Sequence, residues 1–197
     1  MATATQTAAS ILNPATLKQR AEAQTGLHDW GNTGFDEGLA KVCQSACDEA
    51  NLSDTHADAL ASNIVKTLAH RLRFYADRAR YPEIAQQKIS APIIVTGLPR
   101  SGTTILHSLL AQDPAARSPL RWEIDELTPP PRAATYETDP RIASATKAVE
   151  ALPAAFLAMH AMGAQLPEER HGFLALAFQS FNFWVCSTPP SFKTPLM

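Results

Sequence analysis

The feature that most constrains the fold is a short apolar run that ends in a glycine and leads at once into a helical pattern. Residues 90–97 read SAPIIVTG. A β-branched apolar run bounded by proline and glycine is typical of a strand buried on both faces of a parallel sheet. Residues 103–112 read TTILHSLLAQ and return to helical spacing. Residues 92–112 are therefore predicted to be a strand, a tight loop and a helix.

The residues before this segment are predicted to be helical. Asn13 and Pro14 are typical of a helix N-terminus, and Gly26 of the end of that helix. A second helix is predicted from Phe35 to Ala50. A third is predicted from Thr55 to about Arg80, because apolar side chains recur there at every fourth position. These are Leu60, Ile64, Leu68 and Leu72; the other side carries Arg71, Arg73, Arg78 and Arg80, for which a solvated face is favoured over an anion-binding role.

The residues after this segment are rich in proline. Residues 113–140 are predicted to be mostly loop, with a short extended piece at Leu120–Ile124. Helical patterns then return from Arg141, where Pro153 is expected to start, kink or divide a helix and Gly163 to end one, and another helix is expected from Pro167 to Ser180.

The charge balance gives no general reason to bind nucleic acid or an anionic membrane, with 17 Lys and Arg against 19 Asp and Glu. No apolar run approaches the roughly 18 residues of a membrane span, and no leader pattern opens the sequence, so a cytoplasmic protein is expected. Cys43 and Cys47 are interpreted as free thiols, and no histidine spacing favours a metal site.

The loop between the predicted strand and helix carries the chemistry. Residues 97–104 read GLPRSGTT, with glycines five apart and a hydroxyl residue at the helix start. This form resembles a nucleotide-phosphate loop, in which free amides and the helix dipole attract an oxyanion. Thr103 stands where a loop for ATP or GTP needs lysine. Arg100 provides a cation instead, and a guanidinium can fork onto two phosphate or phosphosulfate oxygens.

Residues 92–114, PIIVTGLPRSGTTILHSLLAQDP, resemble the 5'-phosphosulfate loop of the bacterial-type sulfotransferases. Four other segments resemble that family in the same order, so that the resemblance covers roughly residues 10–184: TGLHDWGNTGF, DEANLS, PLRWEIDEL and LPEERHGFLALAFQSFNFW. The resemblance implies a P-loop α/β/α fold with a parallel sheet and a helical N-terminal extension. It also implies sulfuryl transfer from 3'-phosphoadenosine 5'-phosphosulfate (PAPS), without a metal, to a hydroxyl or amine on a small-molecule, lipid or carbohydrate acceptor.

The resemblance also assigns residues to roles. Arg100 and Glu123 are expected to be catalytic, Arg100 by its charge and Glu123 as the base that removes the acceptor's proton. An alternative stays open in which Glu123 caps a turn or pairs with Arg121, and Asp125 and Glu126 are rival bases. Packing is favoured over catalysis for His107. PAPS is expected to contact Pro99, Arg100, Ser101, Gly102, Thr103 and Thr104.

The pattern of the family breaks towards the end of the sequence. Its 3'-phosphate site is an arginine ending a second strand and a serine opening a later helix, and nothing after Phe181 provides either. Asp139–Ser144 resembles this site only superficially, because no apolar strand precedes it. The expected division is a helical region at 1–88, half of a sulfotransferase domain at 89–185 and an irregular tail at 186–197.

The broken pattern predicts a truncated member of the family. Such a chain would leave the edges of its strand open, and it would leave apolar faces uncovered around the LALAF segment. Two other functions stay open: an atypical P-loop kinase or NTPase, and a non-catalytic protein whose helices dock a partner.

Overall fold

The computed structural model describes residues 8–50, 52–98, 101–169 and 171–180. This part of the chain is helical and contains no β-strand, only a single antiparallel bridge between Leu120 and Pro167. The helices are α1 (Ala8–Ile11), α2 (Pro14–Thr25), α3 (Phe35–Asp48), α4 (Asp54–Arg80), α5 (Glu83–Gln86), α6 (Thr103–Leu110), α7 (Arg121–Asp125), α8 (Pro140–Glu150), α9 (Ala154–Met159) and α10 (His171–Ala175), with a 3₁₀ segment at Ala133–Thr138.

The chain forms two compact units. The first comprises the described residues up to Ala79 together with 171–180, and the second those from Arg80 to 169. The domain boundaries expected at residues 88 and 185 stay predictions. Within the described ranges, no helix is both long and apolar enough to cross a bilayer.

The helices of the first unit follow their sequence signals. Asn13 caps α2 as predicted, with its Oδ1 accepting from the Thr16 backbone N–H at 3.1 Å. Gly26, with a φ of 68°, closes the same helix. The predicted long helix is confirmed as α4, whose apolar stripe is buried in one core with residues of α2 and α3. The best-buried members of that core include Leu17, Phe35, Leu39, Ile64, Leu68 and Leu72.

Arg71 is the exception to the predicted solvated face of α4. Its side chain is buried, and its guanidinium donates to the backbone carbonyls of Trp30 at 3.0 Å, Asn32 at 2.7 Å and Leu176 at 2.8 Å. It also lies 4.1 Å from the centre of the Phe35 ring. Periodicity alone misplaced Arg71, because a planar group with five donors can enter a core where it satisfies several carbonyls.

The predicted strand is absent from the structure. Residues 92–97 have no regular secondary structure, and Ile93 and Ile94 are 74% and 70% exposed. A strand buried in a sheet needs a neighbour on each side, and the described residues offer none. The parallel sheet of the expected α/β fold therefore stays a prediction.

Two further expectations are corrected. Of the extended piece expected at Leu120–Ile124, only Leu120 is extended, because α7 begins at Arg121. The helix expected from Pro167 is reduced to α10. Its first residues are held elsewhere, since Glu168 N–H donates to the Pro119 carbonyl and Arg121 N–H to the Leu166 carbonyl, each at 3.0 Å.

Other expectations for the later helices are confirmed. Pro153 divides the helix that follows the proline-rich loop, because α8 ends at Glu150 and α9 begins at Ala154. The uncovered faces expected around LALAF are found only in part among the described residues, where Phe173 is 41% exposed. Leu176 and Phe178 are buried, and Phe178 packs in the core of the first unit.

Candidate functional site

The loop before α6 turns back on itself. Ser101 donates twice to the Leu98 carbonyl, from its N–H at 3.2 Å and from its Oγ at 2.6 Å. Gly102 follows with a φ of 87°, a left-handed conformation that side chains other than glycine rarely adopt. Gly102 also accepts the first helical hydrogen bond, from Leu106 N–H at 3.1 Å. The predicted helix is present as α6, and the described residues before it, Leu98, Ser101 and Gly102, form a tight turn.

Gly97 allows this loop to close. A Cβ at this position would lie 2.6 Å from Ser101 Oγ and 2.9 Å from Thr103 Cγ2. A side chain at this position would therefore require the side chains of Ser101 and Thr103 to move. The two glycines of the predicted loop are required for different reasons, Gly97 by close approach and Gly102 by its backbone angle.

The N-terminus of α6 has the form of an anion-binding turn. Gly102 provides no side-chain cap for the helix, and the amides of a first helical turn together with the helix dipole attract negative charge. Thr103 and Thr104, predicted to contact the cofactor, are half-buried in this turn, and Ser101 is exposed beside it. The predictions for Pro99 and Arg100 fall outside the described residues.

A carboxylate that the sequence analysis did not assign lies beside this turn. Thr104 Oγ1 donates to Glu169 Oε1 at 3.4 Å. The Glu169 N–H donates to Glu168 Oε1 at 2.9 Å, and Glu168 Oε2 accepts from Arg121 Nη1 at 2.8 Å. The sequence resemblance covers the segment LPEER without assigning a role to its second glutamate. The fold shows that this residue, Glu169, contacts Thr104.

Glu123, the predicted base, is buried, and its carboxylate caps a helix and pairs with an arginine. Its Oε2 accepts from the Leu120 N–H at 2.8 Å, which completes the cap of α7, and its Oε1 accepts from Arg117. The capping alternative is confirmed, and the ion-pair partner is Arg117 rather than Arg121. Burial and the neighbouring charge of Glu123 raise the pKa of Tyr136. The structure brings Glu123 and Tyr136 together, and the hydrogen bonds of Glu123 go to Arg117 and Leu120, not to a described residue of the loop.

His107, for which packing was favoured over catalysis, lies in α6. Its Nε2 is 3.2 Å from Ser118 Oγ, and the ring is half-buried. This contact ties α6 to the segment that leads into α7.

Asp139–Ser144 resembles a 3'-phosphate site only superficially, and the guanidinium of its Arg141 binds groups of the protein itself. The guanidinium pairs with both oxygens of Asp139 and donates to the carbonyls of Glu126 and Pro129 at 2.8 and 2.7 Å. It also stacks 4.8 Å from the Trp122 ring centre. Arg141 thus fastens the proline-rich loop to α8 and Trp122. A shallow cavity of about 400 Å³ lies beside it, lined in part by Pro129, Pro130, Arg132, Pro140 and Ser144.

The cysteines have the expected character. Cys43 is buried and Cys47 half-buried, and both are free thiols. Burial raises the pKa of Cys43 to about 12, which keeps this thiol protonated and unreactive at neutral pH. Within the described part of the chain, no group of His, Cys, Asp and Glu side chains could hold a metal ion.

Solved structures that resemble this chain are sulfotransferases, the family that the loop sequence resembles. The chain resembles the crystal structure of sulfotransferase STF1 from Mycobacterium tuberculosis, with a TM-score of 0.70 and 27% identity over 86% of the chain. It also resembles sulfotransferase STF9 from Mycobacterium avium, with a TM-score of 0.72 and 26% identity over 86% of the chain. The chain spans 48% of STF1 and 44% of STF9, about half the length of each.

Comparison at the level of sequence identifies the family. No curated protein matches the chain. The sequence model of the sulfotransferase family matches residues 92–196, a stretch that begins at the predicted strand and includes the whole loop. The protein belongs to the sulfotransferase family.

Proposed function

We propose that this chain carries the 5'-phosphosulfate site of a PAPS-dependent sulfotransferase. The observation that carries the proposal is the turn at Ser101 and Gly102, which opens α6 with no side-chain cap. PAPS supplies an activated sulfuryl group: the acceptor oxygen or nitrogen bonds to sulfur, the bond from sulfur to the 5'-phosphate oxygen breaks, and that oxygen keeps the electron pair. The acceptor's proton passes to a base.

The residues of the loop fit this cofactor. The crowded Gly97 and the left-handed Gly102 bring backbone close to an anion, where the amides of Thr103 and Thr104 add donors. Arg100 would place a permanent positive charge on the bridging oxygen as negative charge develops there. Thr103 in place of lysine favours a phosphosulfate over a magnesium-bound triphosphate.

Two carboxylates compete for the role of base. Glu123 was predicted for it, but both of its oxygens accept hydrogen bonds that cap α7 and hold Arg117. Glu169 is the carboxylate in contact with the loop, through Thr104. We infer that Glu169 is the stronger candidate, since a base must lie within hydrogen-bond reach of the reacting group.

The acceptor pocket is proposed to include the cavity beside Arg141. Pro129, Pro130 and Pro140 give it apolar walls, and Ser144 and Arg132 give it polar groups. Such a mixed lining suits a hydroxylated small molecule, lipid or carbohydrate.

The proposal is tested by calorimetric titration of the whole chain with 3',5'-phosphoadenosine and, separately, with Mg-ATP. We expect 3',5'-phosphoadenosine to bind without magnesium and more tightly than Mg-ATP. Arg100→Ala should weaken that binding by about 10- to 100-fold, the value of a charge-assisted hydrogen bond. Arg20→Ala, at an exposed arginine of α2, is the matched control. Tighter binding of Mg-ATP, or equal affinity in Arg100→Ala, would contradict the proposal.

The same titration compares the effects of Glu169 and Glu123 on the affinity for 3',5'-phosphoadenosine. Glu169→Gln removes a negative charge beside the anion-binding turn and should tighten 3',5'-phosphoadenosine binding by about 2- to 5-fold, as for a partly exposed charge pair. Glu123→Gln should leave the affinity unchanged while lowering thermal stability, because it weakens the cap of α7. Unchanged affinity in Glu169→Gln would show that the charge of Glu169 does not affect anion binding at the loop.

A further inference from the structure

Arg121 pairs with two carboxylates of the second unit. Its Nη1 donates to Glu168 Oε2 at 2.8 Å, and its Nε lies 3.2 Å from Asp125 Oδ2. The Arg121 side chain is 17% exposed, that of Glu168 23% and that of Asp125 39%. An ion pair that is largely shielded from water is stronger than one on an open surface. Arg121 therefore fixes the carboxylate of Glu168 more firmly than that of Asp125.

The segments that carry Arg121 and Glu168 are also joined through their backbones. Arg121 N–H donates to the Leu166 carbonyl and Glu168 N–H to the Pro119 carbonyl, each at 3.0 Å. These two hydrogen bonds flank the antiparallel bridge described above. The bridge and the ion pair act on the same two short segments, so both the backbone and the side chain of Glu168 are held.

Glu168 extends this constraint to the residue that follows it. Its other oxygen, Oε1, accepts from the Glu169 N–H at 2.9 Å. Glu169 Oε1 in turn accepts from Thr104 Oγ1 at 3.4 Å. The two oxygens of Glu168 thus connect the guanidinium of Arg121 to the backbone of the carboxylate that contacts the first turn of α6.

The charge of Arg121 also favours this arrangement. Two carboxylates on adjacent residues repel each other, and a guanidinium that pairs with one of them offsets its charge. Arg121 pairs with Glu168, so the repulsion that would turn the Glu169 side chain away from its neighbour is reduced.

We propose that Arg121 and Glu168 are positioning residues that hold the Glu169 carboxylate against Thr104 at the phosphosulfate loop. They act through the backbone of Glu169 and not by contact with the substrate. A base works only within hydrogen-bond reach and in a fixed orientation, so a released Glu169 loses its function although it stays in the sequence. The role of Glu169 rests on the proposed function, whereas the hold on its side chain is measured without nucleotide.

The decisive variant is Glu168→Gln in the whole chain. Glutamine has the size of glutamate, but its single oxygen accepts either from Arg121 or from the Glu169 N–H, and its amide NH₂ faces the other donor. We expect the Glu169 amide to exchange its hydrogen about tenfold or more faster, as for a lost hydrogen bond to a charged group. The nuclear Overhauser effect between the Glu169 and Thr104 side chains should disappear.

Two controls accompany this experiment. Glu150→Gln makes the same chemical change at an exposed glutamate of the second unit and should leave both signals unchanged. The contact between the Trp122 and Tyr136 rings, whose centres are 5.2 Å apart, should persist in every variant and shows that this unit stays folded. Unchanged amide exchange and an unchanged contact of Glu169 with Thr104 in Glu168→Gln would overturn the proposal.

A double-mutant cycle measures the consequence for the loop. Glu169→Gln alone is expected to tighten 3',5'-phosphoadenosine binding by about 2- to 5-fold. In the Glu168→Gln background the same substitution should change the affinity by less than about 1.5-fold, because the carboxylate is no longer held at the turn. The full effect should remain in the Glu150→Gln background.

The outcomes of the cycle distinguish this proposal from the proposed function. An equal effect of Glu169→Gln in both backgrounds would contradict the positioning role while leaving the phosphosulfate site in place. An original chain that binds no 3',5'-phosphoadenosine would contradict the proposed function, and the exchange of the Glu169 amide would still decide whether Glu168 holds this residue.

Discussion

In the first unit, the apolar stripes of α2, α3 and α4 bury one another, and Leu17, Leu39 and Leu68 have no exposed surface. In the second unit, the apolar side chains of Ile93 and Ile94, which were predicted to lie in a buried strand, are 74% and 70% exposed. A helix closes its hydrogen bonds within its own segment and needs neighbours only for its side chains. A strand needs neighbours for its backbone as well, so an apolar sequence pattern leads to a core in the first unit and to an exposed segment at residues 92–97.

The strongest test of this contrast is Arg71→Ala. The truncation leaves the carbonyls of Trp30, Asn32 and the buried Leu176 without the Arg71 donor and should lower the free energy of unfolding by about 3–5 kcal/mol, because it removes three hydrogen bonds to a charged group. Arg78→Ala, at an exposed position of the same helix, should change it by less than about 0.5 kcal/mol. Urea titrations followed by circular dichroism give both values. Equal effects would show that Arg71 does not stabilise the first unit.

A second test compares two leucines directly. Leu68→Ala should destabilise the protein by about 2–5 kcal/mol, because a fully buried side chain leaves a cavity. Leu109→Ala removes the same atoms from a 65% exposed side chain and should change the free energy of unfolding by less than about 0.5 kcal/mol. The same urea titrations measure both. A large loss in Leu109→Ala would mean that this part of α6 is already covered in solution.

The smallest expected effect concerns the ion pair between Arg141 and Asp139 in the second unit. Arg141 lowers the pKa of Asp139 below its ordinary value of 3.8 through a side-chain hydrogen bond, so the charged carboxylate stabilises the folded chain. Asp139→Asn keeps the cap of α8 but loses this charge, and should cost about 1 kcal/mol at neutral pH.

The sign of the pH dependence follows from the lowered pKa. The stabilisation is complete above 3.8 and disappears as the pH falls through the lower pKa of the folded state. Urea titrations of both proteins should therefore converge in strong acid. A difference that persists there would exclude the charge of Asp139 as its cause.

The helices could be predicted wherever their signals lie in adjacent residues. The cap at Asn13, the apolar spacing of α4 and the division at Pro153 all act over a few positions, and each was confirmed. Arg71 was misplaced because its partners lie 39 to 105 positions away in the sequence. The strand at 92–97 depends on neighbours that the described residues do not contain, and composition alone could not reveal this.

The glycines of the loop could be predicted in the same way, whereas the surroundings of the two candidate carboxylates could not. Gly97 and Gly102 are local requirements of one turn, so the motif located them correctly. Glu123 was chosen from its segment, while its actual partners, Leu120 and Arg117, show a cap. Glu169 could be recognised only through its contact with Thr104, 65 positions earlier.

The hydrogen bond from Arg71 to the Leu176 carbonyl spans 105 positions of the chain. During synthesis the ribosome delivers the N-terminal helices long before residue 176, so the guanidinium must wait in a core that lacks one of its acceptors. Contacts of such long sequence separation form late and slow folding. We therefore expect the core of the nascent N-terminal helices to stay incomplete until the segment that carries Leu176 and Phe178 has been synthesised.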